Sequence, residues 1–255
     1  MKQCFLTRRG PKAIGPYSTA AILDGLCFMS GMIPVDPATG RLAASDVKAQ
    51  ARQVFENLKT VLEDIRDDLR EETLVVSLNG SVTFEQLGRI VTHKMAKMIP
   101  SVTAEIGRSQ TLMCFNDRTE ASDRETLKQL LGGIGNVIEL PEKEMGMGSE
   151  LASCMPGFIA SIFDVICTEA GKHTEIPQDQ VIRMVLNTMC ATGELMLEKG
   201  MSFDDVVSRV ATKGGITEEG TRIVYERFPE TADQLFEKTL EKRRRTAEKA
   251  EELFR

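Results

Sequence analysis

Tryptophan is absent from this sequence, and its 255 residues hold only two tyrosines and two histidines. Few rings are available to stack bases, and the formal net charge of −6 sets the chain against a polyanion. The one basic run, Lys242-Arg243-Arg244-Arg245, is flanked by Glu237, Glu241, Glu248, Glu251 and Glu252 and reads as a solvated helix face. No nucleic-acid partner is expected. The six cysteines (Cys4, Cys27, Cys114, Cys154, Cys167 and Cys190) form no C-x-x-C pair, and His93 and His173 stand alone. Buried, reduced thiols are expected, with no metal site and no disulfide framework. No run reaches the roughly 18 to 20 apolar residues of a membrane span, and the N-terminus lacks the apolar core of a secretory signal. The expected setting is the cytoplasm, with no membrane partner.

What the chain does have changes along its length. Turn chemistry fills residues 1–45: Gly10-Pro11, Gly15-Pro16, Gly31, Pro34, Asp36-Pro37 and Gly40, with a short strand predicted at Leu26–Met29. Val47, Ala51, Val54, Leu58, Val61, Leu62 and Ile65 recur at helical spacing, which predicts one amphipathic helix over 46–70 capped by Ser45 or Asp46. Strands are predicted at 73–78, on both sides of Pro100, and at 137–140. Helices are predicted at 83–91 and 119–131. After Glu142 the pattern is helical to the end. Leu151, Met155, Phe158, Ile162 and Val165 form one stripe, and Ile159, Phe163 and Ile166 widen it beyond one face. The helix over about 178–199 repeats this, further helices are expected to begin near Ser202 and Thr217, and a charged tail helix is expected from about Glu230 to Arg255. Helices apolar on more than one side call for a second wall. The methionines of this region read as filling for irregular core gaps rather than as a cofactor box.

Three motifs follow one another in the first 62 residues: Ala13-Ile14-Gly15-Pro16-Tyr17-Ser18, then Phe28-Met29-Ser30-Gly31-Met32-Ile33-Pro34-Val35-Asp36-Pro37, then Gln50-Ala51-Arg52-Gln53-Val54-Phe55-Glu56-Asn57-Leu58-Lys59. Over about residues 10–62 the chain resembles the opening half of the Rid, or YjgF, family of enamine/imine deaminases. The resemblance implies hydrolysis of imines such as 2-iminopropanoate at a site between subunits, with Tyr17, Ser30 and Gly31 lining it. The later R-x-C-V-E-V-type strand, whose arginine clamps the substrate carboxylate in that family, has no counterpart after residue 62.

A second series begins near residue 60. Leu74-Val75-Val76-Ser77-Leu78, Met98-Ile99-Pro100-Ser101-Val102-Thr103, Ser153-Cys154-Met155-Pro156-Gly157-Phe158 and Lys213-Gly214-Gly215-Ile216-Thr217 resemble pyrroline-5-carboxylate reductases, in particular their late-competence branch. That resemblance implies a homodimer through helices 143–199 and 217–255, with a small imine bound at the seam. Gly214 and Gly215 amides and the Thr217 hydroxyl would hold its carboxylate, beside Ser153. Thr217 equally fits a helix N-cap. Met155, where the family has glycine, would fill part of that pocket. Pro100 and Ser101 would lie on the nucleotide side, and NADP is the cofactor the family implies. Yet no G-x-G-x-x-G occurs anywhere in the chain. Gly132-Gly133-Ile134-Gly135 follows a predicted helix and reads as a turn.

The expected class is α+β: a small N-terminal α/β segment followed by a mainly α-helical dimerisation domain. The expected divisions are 1–62, a nucleotide-domain remnant at 63–141, and 142–255. The function read from these residues is that of a reductase-like protein without its dinucleotide loop, keeping dimerisation and imine binding. A Rid-type deaminase and a non-catalytic oligomerisation module are the alternatives. Which residues would be catalytic is unknown from the sequence; an active protein would be an NADP-dependent oxidoreductase acting on a cyclic imine.

Overall fold

The computed structural model describes residues 2–43 and 46–254. Among these residues, seven strands form one sheet in strict chain order. β1 (Gln3–Phe5), β2 (Ala20–Leu23) and β3 (Leu26–Met29) make an antiparallel meander. Asp24 and Gly25 join β2 to β3 with φ of 48° and 82°. Positive φ at both central positions is the turn whose twist suits a tight hairpin.

Helix α1 (Val47–Ile65) starts where the Asp46 carboxylate accepts the Ala49 amide. Ser45, the other expected cap, lies outside the described residues. Phe55, Leu58, Val61, Leu62 and Ile65 form its buried stripe, as the periodicity requires. Asn57 is buried among them, and its amide donates to the Ile33 and Val35 carbonyls at 2.9 and 2.8 Å. That fixes the long connection from β3. Asp64 holds the chain entering the meander: its carboxylate accepts the Thr7 hydroxyl, the Arg8 and Arg9 amides and the Arg9 guanidinium. Burial alone would push this carboxyl up; the hydrogen bonds outweigh it and hold it at about 2.

β4 (Leu74–Ser77) lies parallel to β3, with Leu26 opposite Leu74, and β5 (Lys94–Ile99) lies parallel to β4. Between them α2 (Phe84–Gly88) opens on a Thr83–Gln86 capping box. β6 (Ser109–Phe115) turns back antiparallel, α3 (Ala121–Gly132) follows, and β7 (Gly135–Glu139) runs parallel to β6. Gly135 has φ 140°, and a Cβ there would stand 2.3 Å from the Ser109 backbone. The Gly132–Gly135 run is therefore a turn and strand entry, not a phosphate cradle.

Crossover handedness decides which side each helix covers. α1 and α2 connect strands running one way and share one face, with Cys27, Val75 and Met95. β6 and β7 run the other way, so α3 falls on the opposite face, with Leu74, Val76, Ala96 and Met113. α3 covers only the β4–β7 side of that face. Leu26 and Phe28 of β3 pack at the edge of that cluster, and beyond them β1 and β2 line an open cavity.

The chain divides into two compact units, residues 1–154 with 239–255, and residues 155–238. One sheet thus spans residue 62. In the first unit, α4 (Met145–Ser149) leads into a π turn at Glu150–Cys154. In the second, α5 (Met155–Gly171) packs against α6 (Gln178–Lys199) through Cys167 and Val181, and α7 (Phe203–Val210) is capped by Ser202. Val165, Met184, Leu197 and Phe203 stay well exposed in the single chain.

The last helix differs from expectation. α8 runs unbroken over Ile216–Phe254, with Pro229 inside it. A proline costs a helix one hydrogen bond, about 3 kcal/mol, and 39 residues of helix carry that loss. One helix is also more apolar than the run lengths suggest. The continuous helix Glu142–Gly171 holds an 18-residue window of mean hydropathy 1.7 and is long and apolar enough, by length and composition, to cross a membrane. Small residues and Pro156 break its apolar runs, while the window mean stays at 1.7.

Candidate functional sites

Two sets of expected residues fall in separate units. In the first unit, an open cavity of about 610 Å³ brings Tyr17 and Ser30 together. Its walls come from strands and loops only, including Lys2, Cys4, Phe28, Leu78 and Met98. The Ser30 hydroxyl donates to the Ser18 carbonyl at 2.7 Å, and the Ser30 amide donates to the Thr19 carbonyl at 3.0 Å. Both Ser30 donors are thereby committed. Gly31 lines a neighbouring recess of about 10 Å³, which it shares with Tyr17; that is room for about one water.

Ser153 lies half-buried in the π turn of the first unit. Gly214, Gly215 and Thr217 belong to the second unit. Gly214 takes φ 72°, and its amide donates to the Glu218 carboxylate at 2.6 Å. A Cβ on Gly215 would come within 2.5 Å of the Thr212 hydroxyl. The backbone is shaped to receive an anion, but Glu218 of the same chain already fills that role at Gly214. Thr217 sits inside the first turn of α8, which begins at Ile216, so it is not the N-cap.

The NADP that the reductase resemblance implies would need a helix N-terminus with free amides. The helix N-terminus that would face a pyrophosphate after the first parallel strand is that of α1, where the Asp46 carboxylate already accepts the Ala49 amide. A fixed negative charge there repels phosphate. Ser101 is buried: its amide donates to the Ser109 hydroxyl, and its own hydroxyl accepts from Thr103. Pro100 leads into that buried hydroxyl chain, half-buried itself.

Two buried charges escaped the reading of the sequence. Lys97, enclosed in β5, donates to Glu142 at 2.9 Å and lies 5.5 Å from the Phe84 ring. Glu142 Oε1 also accepts the Phe84 amide. Arg243 departs from the solvated face expected of its basic run. Its Nε and Nη2 both donate to Glu150 Oε1, at 3.1 and 2.7 Å, and Nη2 reaches Ser149. Glu150 is 2% exposed, and its Oε2 has no partner. A lone lysine between Ala96 and Met98 in an otherwise apolar strand was the available signal for the first pair. Nothing local signals the second.

Residues 7–95 match the endoribonuclease L-PSP family. A RutC family protein of Pyrococcus horikoshii is 36% identical over 110 residues, covering 42% of this chain and 87% of that protein. The chain belongs to the RutC family. That match runs past residue 62, further than the motifs alone reach. Residues 142–246 of this RutC-family chain match the pyrroline-5-carboxylate reductase dimerisation family, so two families are joined in one chain. Pyrroline-5-carboxylate reductase 3 of Bacillus subtilis is 31% identical over 174 residues, 68% of this chain and 64% of that protein. The chain thus spans less than two thirds of that relative. The NADP-bound pyrroline carboxylate reductase of Plasmodium falciparum shares the fold, with a TM-score of 0.68 at 19% identity over 76% of this chain and 78% of that one.

Proposed function

We propose that this RutC-family fusion is a soluble, cytoplasmic homodimer that binds a small imine or its carboxylate and does not reduce it. The observation that carries the reading is the apolar surface of residues 155–238, within a segment matched to a dimerisation family. Ile166, Met184, Leu186 and Leu195 are each at least 40% exposed, and a surface of this kind needs a partner. The apolar helix Glu142–Gly171 then serves the seam rather than a bilayer. The Asp46 cap and the missing glycine loop argue that the ancestral NADP chemistry is gone. The test is light scattering at micromolar concentration, joined to NADPH titration by thermal shift. A dimer whose melting temperature ignores NADPH is expected. A monomer, or a rise of several degrees with NADPH, overturns the reading.

A second reading, imine hydrolysis, is favoured by the meeting of Tyr17 and Ser30 in one cavity. No arginine lines that cavity among the described residues, so a carboxylate clamp of the bidentate kind is lacking. Ammonia release from enzymatically generated 2-iminopropanoate, compared with buffer, decides it.

A further inference from the structure

The π turn at Glu150–Cys154 carries a side-chain cluster that neither functional reading uses. Turns of this kind are rare and occur frequently at functional sites. Their wider winding brings residues four and five apart to one side, which here gathers Ser149, Glu150 and Cys154. All three meet one nitrogen. Arg243 Nη2 lies 2.7 Å from Glu150 Oε1, 3.1 Å from the Ser149 hydroxyl and 4.0 Å from Cys154 Sγ. The arginine stem runs close over Gly146 of α4, where a Cβ would stand 3.2 Å from Arg243 Cδ.

Two features of the cluster are incomplete. Glu150 is 2% exposed, and its Oε2 has no donor. A buried acceptor without a donor is costly, and native structures seldom keep one without a use. The second feature is the Nη2–Sγ separation of 4.0 Å. It is long for a hydrogen bond to sulfur, yet a bent S–O···H–N bridge with a hydrogen bond of about 2.8 Å spans it. One hydroxyl on the sulfur would complete both features. Its oxygen would accept from Arg243, and its hydrogen would donate to Glu150 Oε2. Access also fits: Cys154 is half-buried, whereas Cys27, Cys114 and Cys167 are buried and Cys4 and Cys190 are exposed. A thiol open enough to meet a small oxidant, enclosed enough to shelter its product and next to a cation suits reversible oxidation.

We propose that Cys154 is a modification site, at which a hydroperoxide forms a sulfenic acid that Arg243 and Glu150 hold. The sulfur attacks one peroxide oxygen, and an S–O bond forms as the O–O bond breaks. Sulfur gives up two electrons, and the peroxide is reduced. With hydrogen peroxide, the departing hydroxide takes up the thiol proton and leaves as water. The site depends on neither the dimer nor the hydrolase reading. The test treats the full chain with hydrogen peroxide, removes the excess with catalase and adds dimedone after increasing delays. Mass spectrometry of the peptides then follows the dimedone adduct at each cysteine. The sulfenic acid at Cys154 outlives the one at exposed Cys190 at least tenfold. Glu150→Gln, which removes one carboxylate oxygen, shortens that lifetime at least fivefold, and Cys190→Ser leaves it unchanged. No adduct at Cys154, or a lifetime no longer than at Cys190, overturns the proposal. So does an unchanged lifetime in a Glu150→Gln protein that melts as the unaltered chain does. The comparison of Cys154 with Cys190 needs no substitution, so it decides the matter even if Glu150→Gln fails to fold. Ammonia release and oligomeric mass are separate readouts, so failure here is distinct from failure of either functional reading.

Discussion

The sheet unit and the helical unit solve the same problem in opposite ways. Residues 1–154 with 239–255 bury nearly all of the chain's apolar core inside one sheet and its covering helices. In residues 155–238 only Cys167 and Val181 are fully buried apolar side chains, and the rest of the apolar stripe faces out. The difference teaches that an amphipathic pattern specifies a face and leaves open whose surface will cover it. A sheet of seven strands can close its core within one chain; a helical hairpin apolar on two sides must borrow a wall.

The sharpest way to break this contrast is to charge the helical surface. Val165→Glu with Met184→Glu is expected to weaken self-association at least a hundredfold, because carboxylates would be desolvated without partners. Light scattering would then read half the mass, with the melting of the sheet unit unchanged. A dimer that survives would locate its seam elsewhere.

Next in size is the reverse attack, on the sheet unit from within. Arg243→Ala leaves the Glu150 carboxylate buried and unpaired, at a cost of about 3 kcal/mol. Urea denaturation would read it, and adding Glu150→Leu should recover most of the loss. A smaller effect is expected at Asp64. Its folded value of about 2 lies below its ordinary 3.8, so it contributes stability above about pH 4. That contribution, on the order of 1 kcal/mol after allowing for solvent, is lost as pH falls toward 2. Asp64→Asn should flatten the acid limb of a stability–pH curve over that window. The smallest change is one of rate. Burial pushes the Cys27 and Cys114 thiols up to about 11. At pH 8, iodoacetamide should label exposed Cys4 at least tenfold faster than either, as mass spectrometry of labelled peptides would show.

Much of this fold was legible in the sequence, because most elements announce themselves locally. Period-2 and period-3.6 apolar patterns placed β3, α1, β4 and α6 within a few residues, and Thr83 and Ser202 marked helix starts by their side chains. Two things were not legible. Pro229 ordinarily stops a helix, and only a long run of helix on both sides carries α8 through it. Arg243 and Glu150 lie far apart in sequence, so no local pattern can pair them. The candidate site divides similarly. Tyr17 and Ser30 were visible through their motif, while Lys2, Leu78 and Met98 join them only once the strands align.

The strand order itself has a consequence for how this chain is made. No strand inserts between two earlier ones, so each new strand docks on the one just formed. Loop closures along the sheet stay short, and the ribosome can release the sheet edge by edge with little waiting for distant partners. A joint between unrelated ancestors placed within such a row disturbs only its two neighbours. Sequential sheets of this kind are ready-made sites for recombination.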